Sequence, residues 1–229
     1  MSRAVVLLSG GLDSTTVLAM AAAESLEITA LSFSYGQKHT IELQRAAKIA
    51  EYFKVKEHLV INLDPEPFRK SALTGSGTVP ENRAEISTGI PATYVPARNT
   101  VFLSIALGVA ETRDANRILI GVNSLDYSGY PDCRPEFIDA FQNLANFATK
   151  TAVEGSPPVI QAPLLHMTKA EIIKKGTQLG VNYGMTLSCY QPNKYGESCG
   201  MCDACILRLE GFRANGLEDP AVYRRNTSG

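Results

Sequence analysis

No apolar run in this 229-residue sequence is long enough to cross a membrane or to form the core of an export signal; the apolar start, Met1 to Leu8, is short and carries Arg3. The sequence therefore reads as a cytoplasmic chain with no membrane partner. Charge of one sign is also missing. Twenty-two basic against 23 acidic residues leave a net charge of −1, so no overall basic field exists to hold nucleic acid, and no nucleic-acid partner is expected. There is no internal repeat and no low-complexity segment. What remains is ordinary globular composition, 45% hydrophobic and 20% charged, sized for one large domain or a domain with an appendage. In a reducing compartment the five cysteines are expected to serve as metal ligands or reactive thiols rather than disulfides.

Short apolar runs at Val5 to Leu8, Ile28 to Phe33, Leu59 to Leu63 and Arg117 to Gly121 read as buried strands. Between the second and third, Ala46, Ile49, Ala50 and Phe53 fall on one face of a helix. Alternating strands and helices predict an α/β fold: a Rossmann-like parallel sheet with helices on both faces. Val101 to Ala110 is nearly all apolar, which predicts a helix sandwiched in the core. Phe137, Phe141, Leu144 and Ala148 predict an amphipathic helix. Thr168 and Glu171 form a capping box that opens another, running to about Gln178. Residues 64–97 hold five of the 12 prolines and no sustained period, which predicts a functional loop such as a lid. Asn226 to Gly229 read as a frayed end.

Ser9-Gly10-Gly11-Leu12-Asp13-Ser14-Thr15 lies between the first strand and the first helix. Two glycines let backbone N–H groups approach an anion, and the helix N-terminus and nearby hydroxyls favour one. A phosphate or pyrophosphate pocket is the reading. The string lacks the lysine of a Walker A loop and the third glycine of a dinucleotide fingerprint. A plain turn capped by Asp13 and Ser14 would look similar from a bare Gly-Gly.

Cys189, Cys199, Cys202 and Cys205 are spaced C-x9-C-x2-C-x2-C, which suits four thiolates converging on one zinc, with Gly196 and Gly200 allowing sharp turns. An iron–sulfur centre, a redox or sulfur-carrying pair, and four unrelated buried cysteines are the alternatives. Cys205 is placed on the first turn of a helix reaching about Ala214, and Cys133 reads as a small buried residue.

Tyr94-Val95-Pro96-Ala97-Arg98-Asn99 ends the long loop, and Arg98 offers a fork for phosphate or carboxylate. Asp126 to Arg134 (DYSGYPDCR) follows the RILIG strand, where open α/β sheets place substrates. In it Tyr127 and Tyr130 are candidates to stack on a flat ring, and Asp132 to accept from ring N–H groups, with Arg134 nearby. Tyr35-Gly36-Gln37-Lys38-His39 is a further polar cluster after the second strand.

SGGLDS resembles the pyrophosphate loop of the N-type ATP pyrophosphatases (the PP-loop superfamily), which attach AMP to an acceptor oxygen. Together with YGQKH, YVPARN, DYSGYPDCR, the Thr168–Glu171 box and the cysteine quartet, it resembles the 7-cyano-7-deazaguanine synthase family of queuosine biosynthesis from about Val5 to Gly211. Only Lys38, where arginine is also common, departs from the pattern. The resemblance implies a PP-loop domain over residues 1–186 and a zinc-binding region over 187–215. It implies ATP with Mg²⁺ bound by Leu8, Ser9, Gly10, Gly11, Leu12, Asp13, Ser14, Thr15 and Thr16, and a structural Zn²⁺ on the four cysteines. Asp13, Ser14, Arg98 and Lys169 become the candidate catalytic residues, and Tyr127, Tyr130, Asp132 and Arg134 the candidate substrate contacts. The implied reaction adenylates 7-carboxy-7-deazaguanine, forms the amide with free ammonia, then adenylates and collapses the amide to the nitrile. Members of the family are often homodimers. A tRNA thiolase of the same superfamily would need a reactive cysteine and an RNA-binding surface, and a zinc-knuckle RNA-binding module would leave SGGLDS without a purpose.

Overall fold

The structure, a computed structural model, describes residues 2–38, 41–82, 89–125 and 129–224. Five parallel strands form one sheet in the order β3-β2-β1-β4-β5: β1 Arg3–Leu7, β2 Glu27–Ser34, β3 Glu57–Asn62, β4 Arg117–Leu119 and β5 Val159–Gln161. Side chains alternate across the pleat, so each strand feeds two cores. Val5 and Leu7 face a layer built with Leu103, Leu107, Ile118 and Phe141, whereas Ala4, Val6 and Leu8 face one built with Leu18, Ile49, Ile172 and Phe212. Helices therefore cover both faces, as the sequence predicts. Among the described residues no helix is long and apolar enough to cross a membrane.

The helices are α1 Leu12–Ala23, α2 Ile41–Tyr52, α3 Arg98–Thr112, α4 Pro135–Ala145, α5 Lys150–Val153, α6 Lys169–Gln178 and α7 Asp203–Ala214. The capping box closes as expected: Glu171 N–H donates to Thr168 Oγ1 at 3.3 Å, and Thr168 N–H donates to Glu171 Oε2 at 2.7 Å. Two helices differ from expectation. α3 buries Leu103, Ala106, Leu107 and Ala110, but Thr100, Ser104 and Gly108 line an outer exposed face, so it is not sandwiched. Small and polar residues four apart turn one edge of an apolar helix into a surface. In α4 the buried stripe is Ile138, Phe141 and Ala145, while Leu144 is 50% exposed and Ala148 lies beyond the helix. Ile138 at i−3 from Phe141 sets the stripe one position off the predicted one.

The chain runs outward from β1 through β2 to β3, then crosses back to β4 and β5. The order reverses between β1 and β4, so a crevice opens at their carboxyl ends. The described part of the 64–97 loop does not hang free. Ala72 and Val79 join the four cysteines in a third core, with Tyr223 from the tail packed against it. Asn82 N–H donates to Met201 O at 2.8 Å. The cysteine segment thus shares its core with the long loop and with residues beyond 215.

Candidate active site

The SGGLDS turn sits where the strand order reverses. Gly10 has φ +84, and a Cβ there would lie 2.5 Å from the Glu42 carbonyl oxygen of α2, so only glycine lets helix and loop touch. Gly11 caps α1 without any side-chain acceptor, so the turn capped by Asp13 and Ser14 is not what forms. Leu12 N–H is taken by Ser188 Oγ, so the donors left for an anion are the other N–H groups of the first turn. Ser9 and Ser14 hydroxyls lie 3.0 Å apart, and Gly11 N–H donates to Ser9 Oγ at 3.3 Å. Across the crevice, a Cβ on Gly121 would come within 3.1 Å of Ser14 N, so the chain leaving β4 packs directly on the loop.

A cavity of about 250 Å³ opens here, and Leu8, Ser9, Gly11, Leu12, Asp13 and Ser14 line it. Thr15 and Thr16, predicted to contact nucleotide, turn away. Thr15 Oγ1 donates to Gly11 O at 2.8 Å, and Thr16 Oγ1 bonds Leu12 O and Tyr183 Oη at 2.9 and 2.8 Å. Buried hydroxyls take the nearest backbone acceptor one turn back. Gly10 is likewise spent on packing against α2.

Lys169 reaches the loop from α6. Its Nζ donates to Asp13 Oδ1 and Oδ2 at 2.7 and 2.9 Å, and its side chain is 8% exposed. Gly211 of α7 makes room for its stem, since a Cβ there would lie 2.8 Å from Lys169 Cγ. Predicted residues from α1 and α6 are thus brought together as one ion pair at the loop.

Arg98, first residue of α3, lines the opposite wall beside Tyr35, Glu42 and Tyr130. Burial disfavours its charge, but Tyr35, Asp132 and Cys133 hold it firmly cationic, with a hydrogen bond to Tyr35. Ala97 before it adopts φ +50, a left-handed turn that costs about 1 kcal/mol and delivers Arg98 to the wall. Burial pushes the Glu42 carboxyl up to about 7, opposed by Arg98. It likewise raises Tyr35, and lifts Cys133 to about 12 with Asp132 adding to the effect.

The predicted substrate loop divides. Tyr130 lines the cavity, its hydroxyl 2.6 Å from Thr93 Oγ1. Asp132 is buried, but its Oδ2 accepts Asn99 N–H at 3.0 Å while its carbonyl accepts from Asn99 Nδ2 at 3.0 Å. It holds the first turn of α3, which carries Arg98, instead of offering an acceptor to the cavity. Arg134 is exposed at the start of α4. Tyr127 and His39 lie outside the described residues, as do Asp126, Ser128 and Asn226 to Gly229.

Sequence reasoning missed Glu42, Leu187, Ser188 and Tyr190, all on the cavity wall. Leu187 N–H donates to Gly10 O at 2.9 Å and Leu12 N–H to Ser188 Oγ at 3.2 Å, so the segment entering the cysteine cluster grips the phosphate loop. Only Gly121 carried a signal, a glycine directly ending an apolar strand.

Cys189, Cys199, Cys202 and Cys205 are all buried, with sulfurs within 4.8 Å of one another. Cys199 and Cys205 Sγ are 3.9 Å apart, against about 3.8 Å for a tetrahedron with Zn–S bonds of about 2.3 Å. Cys189 Sγ accepts N–H bonds from Gln191 and Cys199 at 3.3 and 3.2 Å, and Cys199 Sγ from Met201 and Cys202 at 3.4 and 3.3 Å. Such donors stabilise thiolate charge. Gly196 and Gly200 turn with φ +81 and +77. The donor set fits one metal ion. Beside it, Arg208 donates to both Asp219 oxygens at 2.8 and 2.9 Å, and Tyr223 Oη donates to Asp219 Oδ2 at 2.6 Å.

The family model described as queuosine biosynthesis protein QueC matches residues 3–216. A Syntrophotalea carbinolica protein named 7-cyano-7-deazaguanine synthase is 57% identical over 224 residues, covering 97% of each chain. A Pseudomonas aeruginosa protein of the same name is 56% identical over 222 residues, covering 96% of this chain and 98% of its own. Among solved structures, one described as a predicted subunit of tRNA methyltransferase from Methanocaldococcus jannaschii covers 99% of this chain and 94% of its own. Its TM-score is 0.50 at 15% identity, a likeness of fold.

Proposed function

The chain belongs to the QueC family of queuosine biosynthesis proteins, and on that premise we propose that it converts 7-carboxy-7-deazaguanine and ammonia to 7-cyano-7-deazaguanine with two ATP. The observation that carries the chemistry is the glycine loop at the strand-order reversal, its helix N-terminus beside a cavity lined by Arg98 and by Asp13, the partner of Lys169. Residues 1–186 supply most of this nucleotide and substrate site, and 187–215 the metal knuckle, with Leu187, Ser188 and Tyr190 completing the cavity wall. ATP enters with Mg²⁺, which offsets phosphate charge.

The β- and γ-phosphates lie against the Ser9 to Ser14 loop, and the substrate carboxylate faces Arg98, with the planar ring against Tyr130. A carboxylate oxygen attacks the α-phosphorus, and pyrophosphate leaves into the loop that already favours its charge. Ammonia displaces AMP to give the amide. The amide oxygen then attacks a second ATP, and loss of AMP leaves the nitrile. Lys169 is oriented toward the loop by Asp13 and supplies positive charge where the phosphates part. Positioning and electrostatics do the work, since the bonds form between the substrates and little covalent chemistry falls to the protein.

The cysteines hold one structural Zn²⁺. A multi-iron cluster would place its thiolates on different irons and so farther apart than these sulfurs. Held by these four residues, Zn²⁺ would serve a structural role, steadying the segment whose Leu187 and Ser188 grip the phosphate loop. The enzyme works as a cytoplasmic homodimer, which light scattering checks. The test of function is incubation with ATP, ammonium and 7-carboxy-7-deazaguanine. AMP, pyrophosphate and a nitrile product are expected; ADP as the main nucleotide product refutes the reading.

A further inference from the structure

Glu42 is a carboxylate on the cavity wall that neither the fold nor the adenylation steps use. It stands in the first turn of α2, the helix that rests on Gly10, and its side chain lines the cavity. Among the described residues it makes no hydrogen bond and no ion pair; Arg98 and Tyr35 face it from α3 and from the end of β2. The other ionisable groups around the cavity are committed. Asp13 holds Lys169, Lys38 Nζ donates to Gly77 O at 2.8 Å, and Arg98 stays cationic against Tyr35. Burial puts Tyr35, Tyr130 and Cys133 above their ordinary values, so they do not accept protons readily at neutral pH.

Nitrile formation needs a proton acceptor. Resting on the proposed function, we infer that Glu42 is the general base that deprotonates nitrogen as the adenylated amide collapses to the nitrile. In that step its carboxylate takes the remaining N–H proton. The N–H electron pair becomes the third bond of C≡N, the C–O bond breaks, and its electrons leave on AMP. Glu42 then returns its proton to water. Two observations support the assignment besides the lack of a hydrogen-bond partner for its carboxylate among the described residues. It lines the same cavity as Gly11, Arg98 and Tyr130, where the adenylated substrate is proposed to sit. Its carboxyl, raised by burial to about 7, also suits a base at neutral pH.

The test uses the full chain, ATP with Mg²⁺ and the carboxamide of 7-deazaguanine, so that ammonia plays no part. At saturation the wild-type rate of nitrile formation should fall as pH drops through about 7, because the base must be deprotonated. Glu42→Gln should lose at least about a hundredfold in kcat with little change in KM, and should lose the acid limb. Glu42→Asp should recover part of the rate and move the limb. Melting temperature and ATP binding verify that both variants fold. A folded Glu42→Gln with wild-type kcat and limb overturns the proposal. So does a raised KM at preserved kcat, which makes Glu42 a recognition residue. A wild-type protein that makes no nitrile from the amide overturns instead the function on which the inference rests.

Discussion

Alanine at Gly10 or at Gly11 adds one methyl group at two adjacent positions of the phosphate loop, and the structure separates the consequences. At Gly10, φ +84 is left-handed, which costs a side chain about 1–2 kcal/mol. The new carbon would also lie 2.5 Å from Glu42 O and 2.9 Å from Ala46 N, backbone atoms of α2 that cannot rotate aside. Overpacking of that kind costs about 1–3 kcal/mol. The sum is about 2–5 kcal/mol, and a chain of this size loses about 2–4 °C per kcal/mol, so Gly10→Ala should melt roughly 4–20 °C lower. At Gly11 the backbone is ordinary, with φ −82, and the carbon meets Ser9 Oγ at 3.4 Å, Leu187 O at 3.6 Å and Ser188 Oγ at 3.9 Å, all ordinary contacts. Stability should change by less than about 1 kcal/mol. The methyl group instead narrows the approach of phosphate to the helix donors, so AMP release should fall at least about a hundredfold. Differential scanning fluorimetry and a nucleotide assay read both. Unchanged melting of Gly10→Ala, or wild-type turnover by Gly11→Ala, would refute the placement of the loop.

Cys202→Ser should lose its metal and unfold early, since such sites contribute on the order of 10 kcal/mol; elemental analysis with thermal unfolding tests this, expecting one zinc per wild-type chain. Asp219→Ala leaves the Arg208 guanidinium buried without its carboxylate, a loss of about 3–5 kcal/mol by denaturant titration. Burial would raise the Asp219 carboxyl, but Arg208 and Tyr223 hold it below its ordinary value. The pair's stabilisation is therefore full above the usual carboxylate range and fades as pH falls below it, and Asp219→Ala should lose that acid limb of stability. Asp132→Ala leaves the buried Asn99 N–H unmet, so it should cost about 1–3 kcal/mol and weaken binding of the carboxylated base through Arg98, with ATP affinity preserved by calorimetry.

The elements readable in the sequence are those set by local pattern. Apolar runs place β1 and β2 within a residue or two, the Thr168–Glu171 box fixes α6, and C-x2-C spacing collects the sulfurs. What escapes is pairing across distance. Nothing in the local sequence pairs Arg208 with Asp219, yet their side chains are 3% and 2% exposed because the tail folds back on α7. Glu42 reads as a first-turn acid of an amphipathic helix, and nothing local says that Gly10 brings it to the cavity. Asp132 was legible as important but not in its direction, because the N–H it accepts belongs to Asn99, 33 residues away. The Ser188 hydroxyl meets Leu12 N–H across 176 residues, a contact no periodicity encodes.

Double adenylation of one carboxylate is the central claim, and isotope tracing tests it most directly. 7-Carboxy-7-deazaguanine labelled with ¹⁸O at both carboxylate oxygens is converted with ammonium and ATP, and the AMP is weighed by mass spectrometry. Each oxygen should leave on a different nucleotide, giving two singly labelled AMP per nitrile and unlabelled pyrophosphate. Label in inorganic phosphate, or released into water with AMP unlabelled, would contradict the account.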